Sequence, residues 1–138
     1  GDEAYYSPLG DYIQLPRPGC FRSGDAYAST RAHESAHWSG SKERLNRTFG
    51  KRFGDDAYCV EELCAELTAS YVCADLGLPT ELHDSHASYL ANWIKVLRAD
   101  HSAIFTASAK AEQAFNYLRA FSLAEANAPA GDALKAAA

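Results

Sequence analysis

The sequence predicts a mainly helical α+β domain, in which a small N-terminal β-hairpin is followed by about four helices. Two short aromatic and β-branched runs near the N-terminus flank a turn signal, which is typical of a hairpin. The rest of the chain is dominated by apolar residues at helical spacing. The 138 residues suffice for one domain with its own core, and 47% hydrophobic with 22% charged residues is typical of a globular protein.

The hairpin is predicted over residues 4–7 and 12–15, with the turn at 8–11, and Pro16 and Pro18 end its second strand. Two strands alone are marginally stable, so we expect them to pack on helices. An edge strand of this hairpin either binds an extended peptide beside a cleft or simply covers the core.

The first helix is predicted over about 24–39, with Ser23 or Asp25 as N-cap and Gly40 at its end. It contains an H-E-x-x-H motif, His33-Glu34-Ser35-Ala36-His37. Residues four apart on a helix differ by about 40° around the axis and lie about 6 Å apart, so the two histidines can bind one metal ion. Glu34 can then serve as general base toward a metal-bound water.

The second long helix is predicted over about 57–76, with Asp55 or Asp56 as N-cap and Gly77 after its end. One face carries carboxylates among small residues, and the other points to a core. A catalytic zinc takes three protein ligands and a water, and the third must come from outside the first helix. The second helix offers three candidates: Glu61, Glu62 and Glu66.

Two further helices are predicted over about 84–98 and 102–123. In the first of them, Leu90, Trp93, Ile94 and Leu97 form the expected core face. His86, near its start, either hydrogen-bonds the oxyanion of a tetrahedral intermediate or is an exposed first-turn histidine. A tyrosine such as Tyr12 is an alternative donor to the oxyanion. The last helix, capped by Asp100 or Ser102, is expected to direct five side chains inward: Ile104, Ala111, Phe115, Leu118 and Phe121.

Residues 124–138 are Ala-rich and contain Pro129 and Gly131, which predicts a linker or tail after a domain spanning 1–123. The chain contains no methionine, and because it begins with Gly1 we expect it to be a piece of a longer protein. No apolar run approaches the roughly 20 residues of a membrane span.

The net charge of -5 argues against nucleic-acid affinity over the whole surface. Five basic residues within 42–52 form either a site for an acidic or nucleic-acid partner or a solvated loop. The four cysteines lack a C-x-x-C pair, so we expect mostly reduced, buried thiols and a cytoplasmic location: Cys20, Cys59, Cys64 and Cys73.

Several separated segments now carry a family resemblance: AYYSPLGDYIQLP, HESAHWSG, RLNR, YCVEELCAELTASYVCADLGL and HASYLANWIKVLRAD. Over residues 4–120 they resemble the zincin-like metallopeptidase domain of plasmid antirestriction proteins of the ArdC type and of polyvalent proteins of mobile elements. The segment Glu62-x-x-Ala65-Glu66 also resembles the E-x-x-A-D/E segment of gluzincin-type peptidases. Arg31 departs from the family pattern, in which we expect an apolar residue.

The resemblance implies a zincin-like fold and one zinc ion per chain, bound by His33, His37 and Glu62. It implies that Glu66 orients a ligand histidine and that Glu34 activates the zinc-bound water for peptide hydrolysis. The implied partners are a protein or peptide substrate, and DNA through a neighbouring domain of the parent protein.

Two alternatives remain at this point. In one, a non-catalytic zincin-fold module binds DNA or a restriction enzyme, and the basic residues of 42–52 are its main support. In the other, the zinc site is structural and a fourth ligand such as Cys59 closes it.

Overall fold

A computed structural model describes residues 1–79 and 86–127, without the side chains of 86–88 and 125. The chain forms two strands, β1 (Tyr5–Ser7) and β2 (Tyr12–Gln14), and then the helices α1 (Gly24–Ser39), α2 (Gly50–Phe53), α3 (Ala57–Asp75), α4 (His86–Ala99) and α5 (Ala103–Ala126). Because α2 is a single turn, four long helices follow one hairpin. The predicted α+β class is confirmed.

The hairpin is antiparallel, with Tyr6 opposite Ile13, and both strands contact α1 as expected. Asp11 in the turn has a positive φ of 50°, a conformation that Asp adopts more readily than most residues. Its carboxylate accepts from Arg44 Nη1 at 3.2 Å and from Tyr6 Oη at 3.1 Å. The turn is therefore fastened to the segment that follows α1.

Helix α1 begins and ends where the sequence predicts. The Ser23 hydroxyl accepts from the Ala26 backbone N–H at 3.0 Å, so Ser23 is the N-cap, and Gly40 takes the C-cap position. Arg31 is exposed on this helix, so its charge remains in contact with solvent.

The connection between α1 and α3 contains two short helical turns that the sequence analysis did not predict, α2 and a 3₁₀ turn at Gly54–Asp56. Phe49 is 6% exposed and Phe53 packs against the core, so these aromatic side chains dock the connection. Gly54 has a φ of +53°, which a residue without a Cβ adopts at little cost.

Helix α3 ends in the predicted glycine stop. Leu78 N–H donates to Cys73 O at 2.8 Å and Gly77 N–H to Ala74 O at 3.2 Å, with φ of +68° at Gly77. This pair of bonds is a Schellman motif, which satisfies the last carbonyls of the helix. At the other end Asp56 holds the N-cap position without a side-chain capping bond, because the chain enters α3 through the 3₁₀ turn.

The core lies where α3 packs against α1 on one side and α5 on the other. Among the described side chains of α5, the fully buried ones are alanines: Ala103, Ala107, Ala111 and Ala114. Ala111 is therefore buried as predicted, whereas the larger residues predicted to face inward are at most partly buried. Phe121, predicted to face inward, is 52% exposed and contacts Trp38 at the surface. Close approach of α3 and α5 leaves room for small side chains only.

The core face of α4 is rotated from the predicted one. Val96 is buried, and Trp93 and Leu97 pack against the core, whereas Leu90 and Ile94 are 55% and 43% exposed. The prediction that Leu90 and Ile94 face the core is therefore wrong, because α4 buries only a narrow stripe of residues against α3. Helix α5 runs three residues past its predicted end, and residues 128–138 of the expected tail lie outside the described residues.

Within the described ranges, the chain contains no helix that combines the length and the apolar character needed to cross a membrane.

Candidate metal centre

The two histidines of the H-E-x-x-H motif face each other on α1. Their ring centroids lie 4.8 Å apart, and the two Nε2 atoms are separated by 3.1 Å. Each side chain is largely buried, with 14% exposure for His33 and 16% for His37. The four-residue spacing on one helix produces this juxtaposition, as the sequence predicts.

Glu62 on α3 completes a three-residue cluster. Its Oε2 lies 3.4 Å from His33 Nε2, and its Oε1 lies 3.3 Å from His37 Nε2. The ligand atoms of these three residues all lie within 4.8 Å of one another. Two imidazoles and a carboxylate are one of the ligand sets that hold a catalytic zinc. The residues present therefore fit a metal ion, and Cys59 is not a member of the cluster.

A second carboxylate lies behind each histidine. Glu66 Oε1 is 2.6 Å from His33 Nδ1, and Glu61 Oε1 is 3.1 Å from His37 Nδ1. An ionised carboxylate can only accept, so each Nδ1–H donates to its carboxylate. Each Nε2, on the side of Glu62, is then the ring nitrogen that can give up its proton to a metal ion. Ligand histidines in metal sites are commonly oriented in this way.

Glu66 lies behind His33, in the position that the family resemblance implies. Glu61, one of the three candidates for the third ligand, lies instead behind His37. It is held by Arg47, whose Nε donates to Glu61 Oε2 at 2.8 Å. The sequence did not predict a role for Arg47 in the site. The only hint to such a role was a basic residue in the connection between the two helices that carry the site.

The cluster concentrates negative charge around the two imidazoles. Burial acts to lower the pKa of His33, but hydrogen bonds to Glu62 and Glu66 outweigh it and raise that pKa to about 10. At His37, burial likewise acts to lower the pKa, but hydrogen bonds to Glu61 and Glu62 outweigh it and raise that pKa. At Glu62, burial acts to raise the pKa, and the two histidines lower it well below its usual range. Such a site favours a bound cation, whether a proton or a metal ion.

The cluster opens into a cleft of about 770 Å³ between the hairpin, α1 and α3. Glu34, at 8% exposure, lines this cleft together with β1 residues Tyr5 and Tyr6. The cleft thus brings the predicted general base, the three candidate ligands and an edge of the hairpin to one place.

Tyrosines also line the cleft. Tyr58 Oη lies 3.4 Å from Tyr89 Oη, and the Glu62 carboxylate is near enough to contribute to the raised pKa of Tyr58. Tyr58 precedes Glu62 by four residues on α3, a spacing that could have identified it from the sequence. The Tyr12 hydroxyl, considered as an alternative oxyanion donor, lies 3.3 Å from that of Tyr5. The side chain of His86 lies outside the described residues.

Three of the five basic residues of 42–52 form ion pairs within the fold. Arg44 binds Asp11 of the hairpin turn, Arg47 binds Glu61, and Arg52 Nη2 lies 2.6 Å from Asp100 Oδ2. These pairs neutralise much of the charge that suggested an acidic or nucleic-acid partner for this segment.

Comparison with known proteins extends these findings. Residues 1–110 match the zincin-like metallopeptidase family. The chain is 45% identical over 120 residues to protein y4eC of Sinorhizobium fredii, covering 87% of this chain and 39% of that protein. It is 42% identical over 123 residues to DNA primase TraC of Escherichia coli, covering 88% of this chain and 8% of that protein.

Two solved structures are similar in fold and sequence. They are crystal structures of the antirestriction protein ArdC from plasmid R388, one metal-free and one with Mn(II) bound. Each matches with a TM-score of 0.75 and 42% identity over 85% of this chain, which corresponds to 42% and 43% of the respective ArdC chains. The chain therefore spans less than half the length of each relative and structure compared.

Proposed function

Because the chain belongs to the zincin-like metallopeptidase family, we propose that it is a zinc-dependent peptidase. In this proposal His33, His37 and Glu62 hold one zinc ion. The observation that carries it is the convergence of the two Nε2 atoms on the Glu62 carboxylate, at 3.3 and 3.4 Å, beside an intact Glu34. The Mn(II)-bound structure of ArdC supports a metal at a site of this fold.

When bound, the metal would lower the pKa of a water molecule toward 7 and polarise the substrate carbonyl. Glu34 takes a proton from the attacking water and returns it to the leaving amine. Glu66 and Glu61 keep the two imidazoles in the orientation that presents Nε2 to the metal. A purely structural metal site would require the histidines and Glu62 but not Glu34.

Tyr58 is our candidate for stabilising the oxyanion, in place of Tyr12. Its hydroxyl lies beside Glu62 in the cleft. The hydrogen bond to Tyr89, followed by burial, raises the pKa of Tyr58 well above its usual value, so the hydroxyl keeps its proton and can donate it to an oxyanion. His86, predicted from the sequence, is a further candidate for stabilising the oxyanion.

The substrate that this cleft would suit is an extended peptide. Strand β1 lines the cleft, and in the described chain it pairs with β2 on one side. A peptide can add to the other edge of β1 through main-chain hydrogen bonds, which places its carbonyls beside Glu34 and the metal ligands.

The first test is the zinc content of the purified protein and of ligand variants. We expect one zinc per chain in the parent, and loss of zinc in His37→Ala and Glu62→Ala. Glu112→Ala removes an exposed carboxylate on α5 and should leave the zinc content unchanged. A His37→Ala protein that still holds one zinc would exclude the proposed ligand set.

The second test separates catalysis from metal binding. Glu34→Gln should keep the zinc and lose peptide hydrolysis by on the order of 10²- to 10⁴-fold, because the general base is removed. Hydrolysis of peptide libraries by the zinc-loaded protein, followed by mass spectrometry, measures this effect. Hydrolysis at the parental rate in the variant would contradict the mechanism.

The similarity to a DNA primase and to an antirestriction protein supports a second candidate, a non-catalytic module that binds DNA or a restriction enzyme. The two proposals differ in their dependence on Glu34. If a protein that contains this domain protects DNA against restriction, Glu34→Gln in that protein should abolish protection under the peptidase proposal. Full protection by the variant would favour the binding module.

A further inference from the structure

We propose that Arg47 and Glu61 are a positioning pair that fixes the ring of His37 and thereby sets the affinity of the site for its metal. This inference rests on the proposed function, in which His37 is a ligand. It assigns a specific role to one basic residue of the segment between α1 and α3.

Arg47 is held as firmly as a core residue. Its side chain is 1% exposed. The guanidinium donates from Nε to Glu61 Oε2 at 2.8 Å and from Nη2 to Glu61 Oε1, which is the two-pronged geometry that only arginine provides. A lysine would keep the charge but lose this fork.

The same guanidinium also binds the C-terminal turn of α1. Its Nη2 donates to the carbonyl of Ala36 at 2.8 Å, and its Nη1 lies 3.4 Å from Ser39 Oγ. The Ala36 carbonyl is one of the last four of α1, which lack a regular helical partner. Since Ala36 directly precedes His37, Arg47 fixes the backbone of His37 as well as its carboxylate partner.

Glu61 transmits this restraint to the ring. Its Oε1 contacts both Arg47 Nη2 and His37 Nδ1, the latter at 3.1 Å. With the carboxylate clamped, the Nδ1–H of His37 has a fixed acceptor, and Nε2 is the ring nitrogen left for the metal. Without the clamp, Glu61 can rotate away and His37 loses its preferred orientation.

The lack of a side chain at Gly40 is an independent observation that supports a fixed position for the Arg47 guanidinium. A Cβ at Gly40 would lie 2.5 Å from Arg47 Nη2 and 2.6 Å from its Cζ. The guanidinium therefore lies directly on the glycine backbone at the end of α1. Gly40→Ala should displace Arg47 and weaken metal binding without altering any residue of the pair itself.

The test is the zinc affinity of the whole chain, measured by competition with a chromophoric chelator. We expect Arg47→Met and Glu61→Gln to bind zinc about 10- to 100-fold more weakly than the parent. Arg47→Lys should recover part of the loss. The matched control is Arg52→Met, which removes an arginine of the same segment that pairs with Asp100 and should bind zinc like the parent.

A second readout distinguishes positioning from general destabilisation. In zinc-loaded protein labelled with ¹⁵N-histidine, the His37 Nδ1–H signal should be present in the parent and broadened by solvent exchange in Glu61→Gln. Should Arg47→Met fail to fold, Glu61→Gln and Gly40→Ala carry the test.

The outcomes separate the two proposals. If the parent binds no zinc, the proposed function fails and this inference fails with it. If the parent binds zinc and the Glu61→Gln and Gly40→Ala proteins bind it equally tightly, only the positioning role is overturned.

Discussion

At the scale of single residues, the candidate site depends on which carboxylate of α3 lies beside which ring nitrogen of the two histidines. His33 and His37 face one another because they are four residues apart, and this requires only that the segment be helical. Helix periodicity alone does not decide whether Glu61 or Glu62 is the third candidate ligand. Adjacent residues on a helix point about 100° apart, so the packing angle between α1 and α3 decides which carboxylate reaches Nε2 and which reaches Nδ1. That angle cannot be derived from local sequence.

The cysteines give a prediction at this scale. Cys59, Cys64 and Cys73 are buried as expected, but Cys20 is exposed, which corrects the expectation for that residue. Burial raises the pKa of the Cys64 thiol to about 11, which further slows its reaction with alkylating reagents. In the native protein at neutral pH we expect iodoacetamide to modify Cys20 well before the other three.

Peptide mapping by mass spectrometry after a short labelling pulse measures this order. Labelling in denaturant, where all four thiols should react, is the control. Modification of Cys64 as fast as Cys20 in the folded protein would contradict the packing of α3 described above.

At the scale of helices, the sequence predicted where elements begin and end better than which face they bury. Capping residues act locally, so Ser23 and Gly77 mark their helix ends in the sequence itself. The buried face of α5 depends on its distance from α3. Apolar periodicity favoured large residues such as Phe121, whereas the close contact with α3 selects alanines.

Overpacking tests this helix contact. Ala107 on α5 is fully buried in the core. Ala107→Leu should therefore lower the free energy of unfolding by about 1–3 kcal/mol. Ala109→Leu places the same side chain at an exposed position of the same helix and should change it little. Urea unfolding followed by circular dichroism compares the two, and equal effects would argue against the α3–α5 packing.

The start of α5 gives a prediction about pH. Hydrogen bonds from Ser102, and then Arg52, hold the pKa of Asp100 below its ordinary value of 3.8. A carboxyl whose pKa is lowered by folding stabilises the fold when ionised, and this contribution is lost as the pH falls through the folded pKa. Asp100→Asn keeps a capping oxygen but removes the charge.

We therefore expect Asp100→Asn to lower the urea midpoint slightly at neutral pH, since the pair is exposed. The difference from the parent should shrink as the pH falls below about 3.8. Unfolding curves of both proteins across this range give the comparison. A difference that grows in acid would mean that the charge of Asp100 does not stabilise the start of α5.

At the scale of the whole molecule, the order of hairpin and long helices was predictable, but the role of the connection between α1 and α3 was not. In the sequence its cations suggest a surface for a partner. In the structure Arg44, Arg47 and Arg52 fasten the hairpin, α3 and the start of α5 respectively. Long-range ion pairs join residues far apart in sequence, so no local pattern reveals them.

These three attachments determine how the native protein should respond to trypsin. The protease must draw an arginine or lysine side chain into a deep pocket, and exposed loops are its preferred targets. The side chains of Arg47 and Arg44 are only 1% and 11% exposed, whereas Lys42 and Lys51 are exposed. First cuts in this segment should follow the exposed Lys42, Lys51 or Arg52 rather than Arg44 or Arg47, and mass spectrometry of early fragments would identify them. A stretch with five cleavable residues thus presents only part of them to a protease, because Arg44 and Arg47 are enclosed by the contacts that join it to the hairpin and α3.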